Sequence, residues 1–163
     1  MLKVMMIRYE EISSLELLEK IIQEDLKSMI RDDGEHPLIL DMKYKVYSEF
    51  LGYFAYDNEK VIGSVFVSPF HSKEAYSCTN NFNIYLMKEY RRRGIAKELF
   101  NLFQEGLAKK PSIKNLLTTV YEGQNDSVNW LIKNSFSSLG YLDDIDIDSH
   151  YGKKVVFFIR KLR

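Results

Sequence analysis

The sequence predicts an α/β fold. Two observations carry that reading. Segments of period-two hydrophobicity alternate with segments of helical period along the chain, in the order β-α-α-β-β-β-α-β-α-β-β. With 163 residues, 45% hydrophobic and 28% charged, the chain has the size and composition of one globular domain, expected over residues 1–163.

Lys3 to Tyr9 reads as the first strand. Ser13 with Glu16 three residues on forms a capping box, and Leu15, Leu18, Ile22 and Met29 mark a helix to about Ile30. The run Arg31 to Pro37 breaks it, and a second helix is expected from about Leu40 to Phe50. Gly52 to Tyr56 and Val61 to Val67 read as a hairpin turning at Asp57-Asn58-Glu59-Lys60. Pro69 ends its second strand or sits at an edge. The next strand lies within Ala75 to Met87, where Phe82, Ile84 and Leu86 alternate with Asn83, Tyr85 and Met87.

A helix follows, with Ile95, Leu99, Leu102, Phe103 and Leu107 on one face and Pro111 beyond its end. Leu116 to Tyr121 reads as a buried strand. A helix is expected from about Asp126 to Leu139, capped by Gly140. Tyr141 to Asp148 and Lys153 to Ile159 close the fold as a hairpin.

Balanced charge, 23 basic against 23 acidic residues, gives no support for nucleic acid as the main partner. No run approaches the length of a membrane span, and Val4 to Ile7 is too short for a signal peptide, so no membrane is expected as partner. The single cysteine, Cys78, suits a reducing compartment, and a cytoplasmic protein is expected. Nothing near Cys78 would activate it as a nucleophile. His36, His71 and His150 are scattered, and no metal is expected.

The informative stretch is the basic loop between the fourth strand and the helix after it, Lys88-Glu89-Tyr90-Arg91-Arg92-Arg93-Gly94-Ile95-Ala96. The first N–H groups of a helix lack internal partners, and the helix dipole favours negative charge there. Gly94 lets an anion approach the backbone, and arginine supplies permanently charged donors matched to phosphate. The loop is thus suited to phosphate. It is neither a P-loop nor a dinucleotide fingerprint. The plain alternative, three solvated arginines at a helix start, opposes the helix dipole.

Arg91-x-x-Gly94-x-Ala96, between a strand and an amphipathic helix, resembles the [QR]-x-x-G-x-[GA] signature of the GNAT superfamily of acyl-CoA-dependent N-acetyltransferases. The resemblance covers almost the whole order of elements. It implies a mixed sheet of about seven strands, splayed between strands four and five, with about four flanking helices. It also implies that acetyl-CoA is the cosubstrate. Its pyrophosphate would lie on Arg91, Arg92, Arg93, Gly94, Ile95 and Ala96. Its pantetheine arm would lie in the splay, between Tyr85, Leu86 and Met87 on one side and Thr119 to Glu122 on the other.

The resemblance extends to N-x-x-A-x-x-x-Y-x-x-x-G-[FY], with Asn125 at its start and Gly140-Tyr141 at its end, four residues longer than usual. Counting back from Gly140 puts the family's asparagine on Asn129 and its tyrosine on Phe136; counting forward from Asn125 puts the tyrosine on Ile132. Either way the tyrosine is absent, and with it the usual general acid. Asn125 reads equally as a helix cap or as a pantetheine or water contact. In place of the glutamate usual near the start of the fourth strand stand Thr79, Asn80 and Asn81. Asn80 could hold a relaying water, and Glu122 is the nearest carboxylate on the facing strand, as base or water-holder.

The acceptor region implied by the family is acidic here, with Asp32 and Asp33 after the first helix and Asp144 and Asp146 in the closing hairpin. The expected reaction is acetyl transfer from acetyl-CoA to a primary amine of a small molecule or peptide, by direct attack in a ternary complex. The alternative is an acyl-CoA-binding or sensing module with impaired catalysis. The resemblance leaves a homodimer open.

Overall fold

The computed structural model describes residues 5–21, 50–71, 73–143 and 154–162. Seven strands form one mixed sheet in the order β1-β2-β3-β4-β5-β7-β6. They are β1 (Ile7–Glu11), β2 (Gly52–Asp57), β3 (Lys60–Pro69), β4 (Thr79–Leu86), β5 (Asn115–Tyr121), β6 (Ser137–Leu142) and β7 (Val155–Lys161). Among the described residues there are three α-helices: α1 (Leu15–Ile21), α2 (Ile95–Ala108) and α3 (Asn125–Lys133). The expected helix from Leu40 to Phe50, and the first helix beyond Ile21, lie outside the described residues apart from Phe50.

The first four strands form an antiparallel meander. β4 and β5 are parallel, and β7 inserts between β5 and the edge strand β6. α2 is the crossover between the parallel pair, as a parallel connection requires. It buries Ile95, Leu99, Phe100, Phe103 and Gly106 against the sheet. Phe82 of β4 lies under it, with ring centroids 5.8 Å from Phe100 and 5.4 Å from Phe103. Trp130 of α3 stacks on Phe82 at 6.2 Å, so both helices share this face.

Three local expectations are corrected. The cap of α1 is Ser14, not Ser13: its Oγ accepts from the Leu17 N–H at 3.1 Å, while Glu16 lies in the first turn. Asn125 is the first residue of α3 and not its cap, a position held by Gln124. The largest difference is where α3 stops. It ends at Lys133, and 137–142 is strand, so Gly140 is no helix cap but sits at an irregularity in the β6 ladder. The stop is a Schellman motif. Ser135 takes a left-handed φ of 68°, its N–H donates to the Ile132 carbonyl at 3.1 Å, and the Phe136 N–H donates to the Leu131 carbonyl at 3.0 Å. Leu131 and Phe136 are both buried, supplying the apolar contact that accompanies this motif.

Candidate active site

The sheet comes apart between β4 and β5. Their ladder consists of Thr79↔Asn115, Asn80↔Leu116 and Asn81↔Leu117, after which the described residues show no pairing between these two strands. β4 continues to Leu86 paired with β3 alone, and β5 continues to Tyr121 paired with β7 alone. Strand alternation fixes what faces the gap. Met87 N–H donates to the Ile62 carbonyl of β3 at 2.8 Å. Successive residues direct their backbone groups to opposite sides, so Ile84 and Leu86 direct theirs toward β5. Gly63 lets β3 lie close to β4 here: a Cβ at that position would come within 2.8 Å of the Tyr85 carbonyl oxygen.

The loop that leaves β4 starts as a short 3-10 turn, Lys88–Tyr90, and ends at Gly94, the N-cap of α2. Gly94 has φ +82°, a conformation that L side chains rarely adopt, and Arg92 is also left-handed at φ 62°. A Cβ built on Gly94 meets nothing within 4 Å, so the space above it is open. No side chain caps α2. Its first N–H groups therefore have no side-chain acceptor at the start of the helix. Arg91, Arg92 and Arg93 are exposed around it. Arg91 Nε donates to the Leu86 carbonyl at 2.8 Å, which places the guanidinium across the gap edge of β4. Arg92 lies 3.9 Å from Asp126 in the first turn of α3, a pair too exposed to add much stability.

The other expected contacts are differently disposed. Leu86 and Met87 are buried side chains, each 7% exposed, so what Leu86 offers the gap is backbone. The backbone of Met87 is engaged elsewhere, its N–H by Ile62 of β3 and its carbonyl by the Tyr90 N–H at 2.9 Å. Ile95 is buried in the core and Ala96 is half-buried, so both present N–H groups to the loop rather than side chains. Asn125 is exposed at the start of α3.

Asn80 is fully buried, and neither its amide nitrogen nor its amide oxygen has a hydrogen-bond partner. It stands two residues before Phe82 in β4, on the same face, which puts it on the α2 face of the sheet. Glu122 follows β5; its N–H donates to the Lys154 carbonyl at 2.9 Å, and its carboxylate lies 3.5 Å from Lys154 Nζ. Asn80 and Glu122 are therefore in different surroundings, one in the core and one at an exposed strand end. Phe136, one of the two positions reached for the family tyrosine, is not on α3; it packs 5.2 Å from Phe82 in the core. Ile132, the other, is 60% exposed on α3. Asp32, Asp33, Asp144 and Asp146 lie outside the described residues. No cluster that could hold a metal ion occurs among the described residues, and no helix among them is long and apolar enough to cross a membrane.

Sequence reasoning missed Tyr90 and Asp57. Tyr90 Oη donates to Asp57 Oδ2 at 2.7 Å, tying the loop to the β2–β3 hairpin. The two are 33 residues apart, and no local pattern links them.

A sheet opened between parallel strands, followed by an uncapped glycine-initiated helix, is the arrangement implied by the resemblance to acyl-CoA-dependent acetyltransferases. The family model for the acetyltransferase (GNAT) family matches residues 16–136, and the chain belongs to that family. No curated protein matches the sequence. Three solved structures share the fold at identities that speak for fold alone. An acetyltransferase of the GNAT family from Streptococcus pneumoniae has TM-score 0.75 and 14% identity, covering 96% of this chain and 100% of that one. An N-acetyltransferase from Staphylococcus aureus Mu50 has TM-score 0.71 and 18% identity, covering 96% and 99%. NAA60 of Arabidopsis thaliana, in complex with a bisubstrate analogue, has TM-score 0.67 and 17% identity, covering 96% and 98%.

Proposed function

We propose that this chain moves an acetyl group from acetyl-CoA to a primary amine by direct attack in a ternary complex. The observation that carries the proposal is the open loop at Gly94, set at the mouth of the β4–β5 splay. In this reading Arg91, Arg92 and Arg93, with the N–H groups of Gly94, Ile95 and Ala96, hold the pyrophosphate. The gap-facing backbone of Ile84 and Leu86 takes the pantetheine amides as a pseudo-strand would. Asn125, at the start of α3, is the proposed further contact for the same arm.

Bound acetyl-CoA supplies a thioester carbonyl reactive toward a neutral amine. The chain's own share is to position the two partners and to polarise the carbonyl, on which such a reaction mainly depends. Glu122 is the proposed base or water-holder, and Lys154 sets its direction. Asn80 was the other candidate; its burial leaves it a role only through an internal water. Asp32, Asp33, Asp144 and Asp146 are the proposed acceptor contacts.

A second reading, an acyl-CoA-binding module without turnover, draws on Glu122 being paired and Phe136 being in the core. The test has two arms. Calorimetry with coenzyme A should show binding by the wild type and none by Gly94→Glu, which adds bulk and negative charge at the pyrophosphate. Unchanged affinity in a folded Gly94→Glu protein would overturn the cofactor site. Turnover of acetyl-CoA with a panel of amines then separates enzyme from module.

A further inference from the structure

We infer that Asp57 and Tyr90 are a positioning pair that holds the loop in its anion-binding shape, an inference that rests on the coenzyme A reading above. The start of the loop is fixed by backbone: Met87 N–H on the Ile62 carbonyl, Tyr90 N–H on the Met87 carbonyl, and Arg91 Nε on the Leu86 carbonyl. All three act at or before Arg91. The segment beyond them, Arg92 to Gly94, lies within the stretch proposed to meet phosphate and has two left-handed residues separated by one. Nothing in its own composition favours a left-handed arginine. Its own ties to other parts of the chain are exposed, Arg92 to Asp126 at 3.9 Å and Arg93 Nη1 to Met5 Sδ at 3.1 Å; the part-buried tie beside it is the Tyr90 hydroxyl, donated to Asp57 Oδ2 at 2.7 Å.

Asp57 is itself well placed to hold. It is the last residue of β2, paired with Lys60 across the hairpin turn, and its Oδ1 accepts from Asn58 Nδ2 at 3.1 Å. Lys60 reaches Glu89 at 4.0 Å, so the hairpin tip meets the 3-10 turn at two neighbouring residues. The Tyr90 ring packs against the core, leaving its hydroxyl as the polar end of a stiff strut. The pair is a lever on loop shape. It contributes no charge to the phosphate itself, because Asp57 is an anion and would repel one. Loosening it lets the loop sample shapes that do not bind, and apparent affinity falls with the fraction that does. The chemical step is untouched.

The experiment measures coenzyme A affinity by calorimetry, together with kcat and KM for acetyl-CoA, in the full chain. The variants are Tyr90→Phe, Asp57→Ala, their double variant and Asp57→Asn. Tyr90→Phe and Asp57→Ala should each weaken coenzyme A by about three- to tenfold, the range of one ordinary hydrogen bond. KM should rise by the same factor with kcat unchanged, the signature of lost uniform binding. The double variant should be no weaker than either single one. Asp57→Asn keeps an acceptor oxygen and should bind close to wild type, which a purely charge-based role would not allow. Wild-type affinity in both Tyr90→Phe and Asp57→Ala, losses that add in the double variant, or a fall in kcat without a rise in KM each overturn the inference. Absence of coenzyme A binding by the wild type instead removes the cofactor reading, and this inference with it.

Discussion

Tyr90 carries a pH dependence whose sign follows from its contacts. Its hydrogen bond to Asp57 raises its pKa above the usual tyrosine value, and burial and the charges of Asp57 and Glu89 act in the same direction. Arg93 opposes them. A pKa raised in the folded state means that the folded protein holds the proton more tightly than the unfolded chain. The stabilisation is therefore fully present below about pH 10, the unfolded value, and is lost as pH rises through the folded value. Loss of the proton puts a phenolate against a carboxylate and removes the donor. The stability difference between wild type and Tyr90→Phe should accordingly be constant through neutral pH and shrink above about pH 10. Denaturant midpoints for both proteins across that range check it. A gap that widens in alkali would show that the hydroxyl does not donate to Asp57. Gly94 marks the other kind of residue-scale effect, a backbone conformation that the sequence already announces, since a glycine at a strand-to-helix junction next to arginines has few other uses.

The element that departs furthest from expectation is α3, and the reason is physical. Val128, Leu131 and Ile132 share a helical period with Ser135, Phe136 and Leu139, so periodicity alone extends the helix to the glycine. The signal that wins is Asn134-Ser135. Asn134 Nδ2 turns back to the Trp130 carbonyl at 2.8 Å, and Ser135 adopts the left-handed turn. Asparagine and serine compete with the helix for backbone partners. Phe136 then drops into the core beside Phe82 instead of facing the gap. Phe136→Tyr would bury a hydroxyl among aromatic rings and should cost about 1–3 kcal/mol of stability, read by denaturant unfolding, with turnover per folded molecule little changed. A hundredfold loss of turnover at unchanged stability, about 2.7 kcal/mol of barrier, would place Phe136 at the reacting centre after all. The strand, loop and helix around Gly94 were legible because the parts are contiguous: strand, arginines, glycine, helix. The splay was legible only through resemblance, because a strand that pairs and a strand that parts have the same alternation. The tie from Tyr90 to Asp57 was not legible, because it joins distant segments through two common residue types.

At the scale of the whole molecule the charges cancel, 23 against 23, so any field at the acceptor site must come from local arrangement. Basic residues gather in the loop before α2, Arg91 to Arg93. Acidic ones gather at Asp32, Asp33 and Glu35 and at Asp143, Asp144, Asp146 and Asp148. A polyphosphate at the first and a cation at the second would use both. We predict an acceptor with a second positive charge besides the reacting amine, such as a polyamine, an aminosugar or a basic peptide. The attacking nitrogen must be neutral, and a carboxylate beside it would raise its pKa and hold it protonated. The aspartates should therefore hold the distal charge, away from the thioester. Replacing Asp144 and Asp146 together with asparagine should raise KM for the acceptor with little change in kcat. High salt should reproduce that effect in the wild type, because exposed charges are screened beyond about 8–10 Å. A best substrate that is neutral or anionic in an amine screen would refute the prediction, and so would an unchanged KM in the double variant.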